Sequence, residues 1–288
     1  MSTVSMTHIG TPPPGGARFG TPGIIYAIQH IRCMRGGSQA KLLRASDGYW
    51  YITKFQDNPQ GLKVLANEML ASSIGRYLRL PVPQTEIIEV DEWLIENTPE
   101  LRLQSNGESR PFKGGLHLGS RHVAEHEEMT VFDYLPETFA ERVTNLDDFG
   151  RCLVLDKWAG NVDGRQAVFA RRTRRHGWRV SFIDQGYCFN AQEWTFPDFP
   201  LQGTYYRNWV YRKVTGWKSF EPALSLAEQM DIDDLWWYAQ KIPPDWYDSD
   251  SSALSQLVET LHKRRTLIRN LIAAFRDSTR APFPLWKC

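Results

Sequence analysis

The stretch from Gly160 to Asn190 constrains this chain more than any other. It holds two short apolar, β-prone runs, residues 167–170 and 180–183, separated by a basic turn from Arg171 to Trp178. Runs of that length bounded by turn residues read as a β-hairpin. Asp163 lies just before the first run and Asp184 just after the second. Antiparallel pairing brings the outer ends of two strands together. Asp163, Gln166 and Asp184 are therefore predicted to share one small volume, and oxygen donors gathered that way suit a hard cation such as magnesium.

A second constraint lies upstream. Residues 49–55 alternate, with Trp50, Ile52 and Lys54 on one strand face. A lysine on an apolar face needs a partner, or it must snorkel to water at a sheet edge. Residues 61–78 carry Leu62, Leu65, Met69, Leu70, Ile74 and Leu78 at helical spacing, and Glu68 sits on that helix. Glu68 is either a solvated helix residue or the partner of Lys54. Before this strand comes Arg35-Gly36-Gly37-Ser38-Gln39-Ala40-Lys41. Two glycines let backbone approach an anion closely, although an ordinary hairpin turn has the same composition.

The pattern G-N-x-D, strand, basic turn, I-D-x-G resembles the HipA-like kinases, a branch of the protein-kinase-like superfamily. Asn67-Glu68-Met69-Leu70-Ala71 matches the family segment N-E-x-x-A, and Gly37–Leu42 resembles its G-x-Q-x-K-x-x-L phosphate-covering loop. Residues 1–22, rich in Gly, Pro, Thr and Ser, read as a flexible tail, and the resemblance implies an α+β, two-lobe protein-kinase-like fold beyond it: a β-rich N-lobe over 23–123 and a mainly helical C-lobe over 124–288. It implies ATP and Mg2+ as cofactors. Lys54, held by Glu68, would orient the phosphates beneath the backbone of Gly36, Gly37, Ser38, Gln39 and Lys41. Asp163 would face the phosphoryl acceptor, while Gln166 and Asp184 would hold the metal.

The sequence departs from the family in two places. Family members have N-T-D-R-x-x-x-N, whereas Gln166 follows Asp163 by three positions. Gln presents a carbonyl oxygen on a longer arm with more rotamers to freeze. Asp156 and Asn161 offer a second register, D-x-x-x-x-N, but Asp156 lies in an apolar run that reads as the end of a helix. Some family members also carry a regulatory serine just before the glycine loop, where this chain has Cys33-Met34-Arg35.

Composition limits the alternatives. A net charge of +1 argues against non-specific nucleic-acid binding as the main task. Cys33, Cys152, Cys188 and Cys288 show no C-x-x-C spacing and read as reduced thiols of a cytoplasmic protein. No apolar run reaches the roughly 18 residues of a membrane span, and no secretory signal is visible. The partners expected are ATP and a hydroxyl acceptor, a protein serine or threonine in relatives, with no direct nucleic-acid or membrane contact.

The remaining segments read as follows. Residues 85–90 and 115–123 are strands, the latter leading out of the small lobe. Residues 91–103 suit a helix, and 104–115 a polar loop. His117, His122 and His126 lack metal-ligand spacing and read as surface or packing residues. Residues 137–144, 145–158, 223–229, 231–241 and 251–276 read as helices, with Lys263-Arg264-Arg265 a solvated face. The aromatic stretch 194–217 reads as core packing, or else as an acceptor-binding wall. Two rivals to an active kinase remain: a pseudokinase that binds nucleotide without transfer, and an interaction scaffold.

Overall fold

The computed structural model describes residues 24–105, 107–124 and 129–287. The expected tail over 1–22, His126 and Cys288 lie outside these residues. The first half begins with β1 (Ile25–Cys33), β2 (Lys41–Ala45) and β3 (Trp50–Lys54). Helix α1 (Val64–Tyr77) follows, then β4 (Thr85–Val90), α2 (Glu92–Glu96), β5 (Arg102–Ser105), β6 (Glu108–Pro111) and β7 (Gly115–Arg121). Strands β1, β2, β3, β7 and β4 close into a barrel in that order. Alternation gives its strands two faces: Tyr51 and Leu43 fill a core with Ile88, Phe55 and Phe112, while Trp50, Ile52, Leu42, Leu118 and Ser120 line a cleft.

The second half adds β8 (Thr130–Phe132), α3 (Asp148–Trp158), β9 (Gln166–Arg171) and β10 (Arg179–Ile183). Helices α4 (Ala223–Gln229), α5 (Ile232–Ala239), α6 (Ser251–Arg264) and α7 (Ile268–Arg276) complete it. The predicted hairpin forms, with β9 between β10 and β8. Phe169 and Phe182 from its two strands pack on Phe149 of α3, at ring separations of 6.2 and 5.1 Å. Burying each ring contributes roughly 1.5–3 kcal/mol, which seats the hairpin on the helix. The architecture is α+β.

Helix α1 is buried almost all round, with Leu65, Leu70 and Ile74 in the main core. A helix covered on every side joins its neighbours rather than capping them. Asn67 fixes its angle: Nδ2 donates to Gly186 O at 2.9 Å and Ala191 O at 2.7 Å, and Oδ1 accepts Trp194 Nε1 at 2.7 Å.

Five expectations are corrected. The helix expected over 91–103 stops at Glu96, because Leu101 and Leu103 turn into the barrel core and Pro99 cannot continue a helix. The expected loop over 104–115 contains β6, paired with β5. The segment 137–144 forms only a 3-10 turn, Glu137–Arg142. The helix over 251–276 is interrupted by a 3-10 turn at Arg265–Leu267, and its basic face is not wholly solvated. Arg264 is buried, pairs with Asp198 at 2.7 Å and donates to the carbonyls of Lys157 and Trp158. His117 is buried against Phe55, accepting Gln56 N on Nδ1 at 3.1 Å, with Nε2 at 3.0 Å from Lys113 O.

Candidate active site

Four elements meet at one cleft of about 940 Å³: the barrel wall, α1, the 160–166 loop and the end of β10. Lys54 closes β3 at the bottom of this cleft. Its Nζ lies 2.5 Å from Glu68 Oε2 and 2.7 Å from Asp184 Oδ1. The expected partner on the helix is therefore present, and the hairpin supplies a second carboxylate. Lys54 and Glu68 are buried, whereas the Asp184 side chain keeps about a fifth of its surface exposed. Two carboxylates around one cation leave a net negative charge, and the ammonium's third donor has no hydrogen-bond partner among the described residues.

The electrostatics follow from that crowding. Burial alone would lower the Lys54 pKa, but the Glu68 and Asp184 charges push it above the usual lysine range. Burial raises Glu68, and Lys54 opposes this only in part. Burial would raise Asp184 too, but the contact with Lys54 holds its carboxyl below the usual range. Asp184 also sits at φ 60°. That left-handed conformation costs a non-glycine residue roughly 1–2 kcal/mol, least for Asn and Asp, and turns the carboxylate back toward the cleft.

Gln166 opens β9 directly opposite Ile183, so it lies beside Asp184, and both line the cleft. Asp163 is exposed at the rim, next to the cleft-lining Gly164. Its carboxylate accepts Gly164 N at 2.7 Å and Gln166 Nε2 at 3.2 Å. Gln166 thus touches Asp163 on one side and lies beside the end of β10, which leads into Asp184, on the other. The alternative pair, Asp156 and Asn161, is buried: Asn161 Nδ2 donates to Asp156 Oδ1 at 2.9 Å, and the Arg165 guanidinium chelates the same carboxylate.

The glycine segment is only partly at the cleft. Ser38 lines it, with Gly36 and Gly37 in the exposed turn beside it. Gln39 turns away and pairs with the Gln104 backbone, accepting its N at 2.8 Å and donating to its O at 2.6 Å. The Lys41 ammonium lies 3.3 Å from Cys33 Sγ and over the Phe112 ring.

Sequence reading gave Arg165 no role in the site, whereas the tyrosines fall in the aromatic stretch read as core packing or an acceptor-binding wall. Arg165 reaches from the loop to Asp156, to Ile183 O at 3.0 Å and to the Gln185 side chain, bracing the loop against the end of β10. Its signal was an arginine beside Asp163 that the basic turn made easy to overlook. Tyr205 and Tyr206 line the cleft beside Asp133 and Gln166, so the aromatic stretch is core packing in part and cleft wall in part.

A metal cluster of three or more acidic, histidine or cysteine side chains is absent among the described residues. The oxygen donors of Asp184 and Gln166 fit instead a hard cation that takes its remaining ligands from water and phosphate, the common habit of magnesium.

Among solved structures, the Helicobacter pylori proinflammatory kinase CtkA aligns with a TM-score of 0.52 at 15% identity, covering 87% of this chain and 97% of its own. The hydra Fam20 structure with sugar aligns at 0.51 and 10% identity, over 90% and 87%. The Golgi casein kinase with Mn/ADP bound aligns at 0.50 and 11%, over 89% and 73%. Identities this low carry the fold alone. No curated protein matches by sequence. The family model for HipA-like kinases matches residues 25–172, just over half of the chain, a span that includes Lys54, Glu68, Asp163 and Gln166 and stops short of Asp184. On that match the chain belongs to the HipA-like kinase family and is a phosphotransferase.

Proposed function

We propose that this protein is an ATP-dependent kinase of two lobes, 23–123 and 124–288, that transfers the γ-phosphoryl group to a hydroxyl, with a protein serine or threonine as acceptor. One observation carries the reading: a buried lysine held between a helix carboxylate and a hairpin carboxylate at the floor of a large cleft. Lys54 uses two donors on Glu68 and Asp184, and its third is free for a phosphate oxygen. Glu68 keeps the ammonium in position. The backbone at Gly36, Gly37, Ser38, Gln39 and Lys41 covers the phosphates. Asp184 and Gln166 would hold Mg2+, which when bound neutralises charge developing on the phosphoryl oxygens. Asp163, exposed at the rim, orients the acceptor hydroxyl and takes its proton. The free thiols Cys33, Cys152 and Cys188 are in keeping with a cytoplasmic protein, and among the described residues no helix is long and apolar enough to cross a membrane.

One feature favours a rival, nucleotide binding without transfer: the Gln166 amide donates to Asp163, occupying an oxygen the acceptor would need. Two measurements decide. Mg-ATP should raise the thermal midpoint of the parent protein, because a ligand bound only by the native state stabilises it. Transfer from ATP, read as self-phosphorylation or turnover, should fall roughly 10²–10³-fold in Lys54→Met. No thermal shift would remove the nucleotide. A shift with turnover unaffected by Lys54→Met would leave only binding.

A further inference from the structure

Behind the cleft lies a second concavity of about 630 Å³, walled by the last turn of α1, the 81–84 connection, the end of β7 and the turn of the β9–β10 hairpin. Five arginines face it: Arg76, Arg121, Arg171, Arg172 and Arg179. Among the described residues no carboxylate lines it, and none of the five lies within ion-pair distance of one. Two are held in place by aromatic faces instead. Arg121 stacks 3.4 Å from the Tyr49 ring and Arg171 4.1 Å from Trp178, and the Arg171 Nε is buried without a hydrogen-bond partner. Stacking fixes a guanidinium while leaving its fork of donors to a carboxylate or phosphate. In a chain of net charge +1, such a concentration of one sign is local.

We propose that this groove is a docking site for an acidic polypeptide segment. Pro81, Val82 and Pro83 also line the groove and give apolar surface beside the arginines. Among the described residues no Phe, Tyr or Trp lines it, so they give it no stacking platform of the kind on which single-stranded nucleic acids rest. It is a notch rather than the extended track that a duplex, with a charge every ~1.7 Å, requires. Arg121, His122 and Val123 line both the groove and the cleft, so a docked segment touches the strand that leads between them.

The test is fluorescence anisotropy of a labelled (Glu-Gly)5 peptide on the full chain at about 0.1 M salt, where charges a Debye length apart are already screened. The expected result is saturable binding that (Gln-Gly)5 does not show. Arg172→Ser/Arg179→Ser, both exposed, should weaken it at least tenfold with an unchanged thermal midpoint. Arg174→Ser/Arg175→Ser, on the same turn but outside the groove, should change it less than twofold. Equal loss in both double variants would mean a diffuse basic turn and overturn the proposal. So would absence of binding, or tighter binding of a single-stranded oligonucleotide of equal length. Binding that arises only when Glu125, Glu127 and Glu128 are changed to Gln would overturn it too, since the chain's own acidic segment would then be the occupant.

Discussion

Two buried charge clusters stand side by side in this molecule and behave differently. In one, Lys54 lies between Glu68 and Asp184; in the other, Arg165 lies against Asp156 with Asn161. Both hold a cation and at least one carboxylate away from bulk water. The Arg165 cluster is closed. The guanidinium is shared among Asp156, Ile183 O and Gln185, and the Asp156 carboxylate also accepts Asn161 and the Cys152 thiol. Burial would lower the Arg165 pKa, yet Asp156 raises it. The Lys54 cluster opens onto the cleft, with a spare donor and one carboxylate partly exposed. Chemistry requires unsatisfied capacity facing space. A saturated network only holds shape.

Injuring the closed cluster, and then the rim of the cleft onto which the open one faces, gives the largest effects. Asp156→Ala leaves Arg165 buried and uncompensated, so it should cost about 3–5 kcal/mol of folding stability by urea denaturation. Asp163→Ala should instead lower turnover roughly 10²–10⁴-fold and leave the urea midpoint at the parent value. If Asp156→Ala proved neutral in stability, or Asp163→Ala unfolded the chain, the distinction between a framework cluster and a reacting rim would fail.

The next effect concerns pH. Asp184, with its lowered pKa, contributes stability above its ordinary value near 3.8, and this is lost only as pH falls through the still lower folded value. An acid loss at milder pH must come from elsewhere. Burial pushes His117 down from 6.5 to about 4. Between those values the unfolded chain binds the proton and the folded chain does not, so stability should fall by roughly 3 kcal/mol as pH drops from 6.5 to 4. His117→Gln, which keeps an acceptor and a donor, should flatten that limb in urea titrations at stepped pH. An unchanged limb would assign the loss to the carboxylates.

The smallest effects come from two glycines. Gly203 sits at φ +67°, and an added Cβ would lie 2.9 Å from Asp156 Cβ and 3.1 Å from Asn161 O. Gly203→Ala should therefore cost about 1–3 kcal/mol in stability by disturbing the closed cluster. Gly36, at φ +121°, has nothing within 4 Å of such a Cβ. Gly36→Ala should cost about 1 kcal/mol at most from backbone strain, with its larger signature a raised KM for ATP. A reversed ranking would mean that the glycine turn packs against something.

Local pattern determined much of this protein. Period-two alternation announced β3 and its lysine, helical spacing announced α1 and Glu68, and two β-prone runs announced the hairpin that ends at Asp184. These are short-range facts, written in the order of neighbouring residues. What the sequence could not contain is which polar groups remain unsatisfied once the chain is folded. The apolar run around Asp156 set it apart from Asp163, but only the arrival of Arg165 and Asn161 closes that carboxylate while Asp163 stays at a rim. Residues 101–103 and Arg264 misled for the same reason: their burial was set by partners distant in sequence, and desolvation is a property of the assembled volume rather than of any local run.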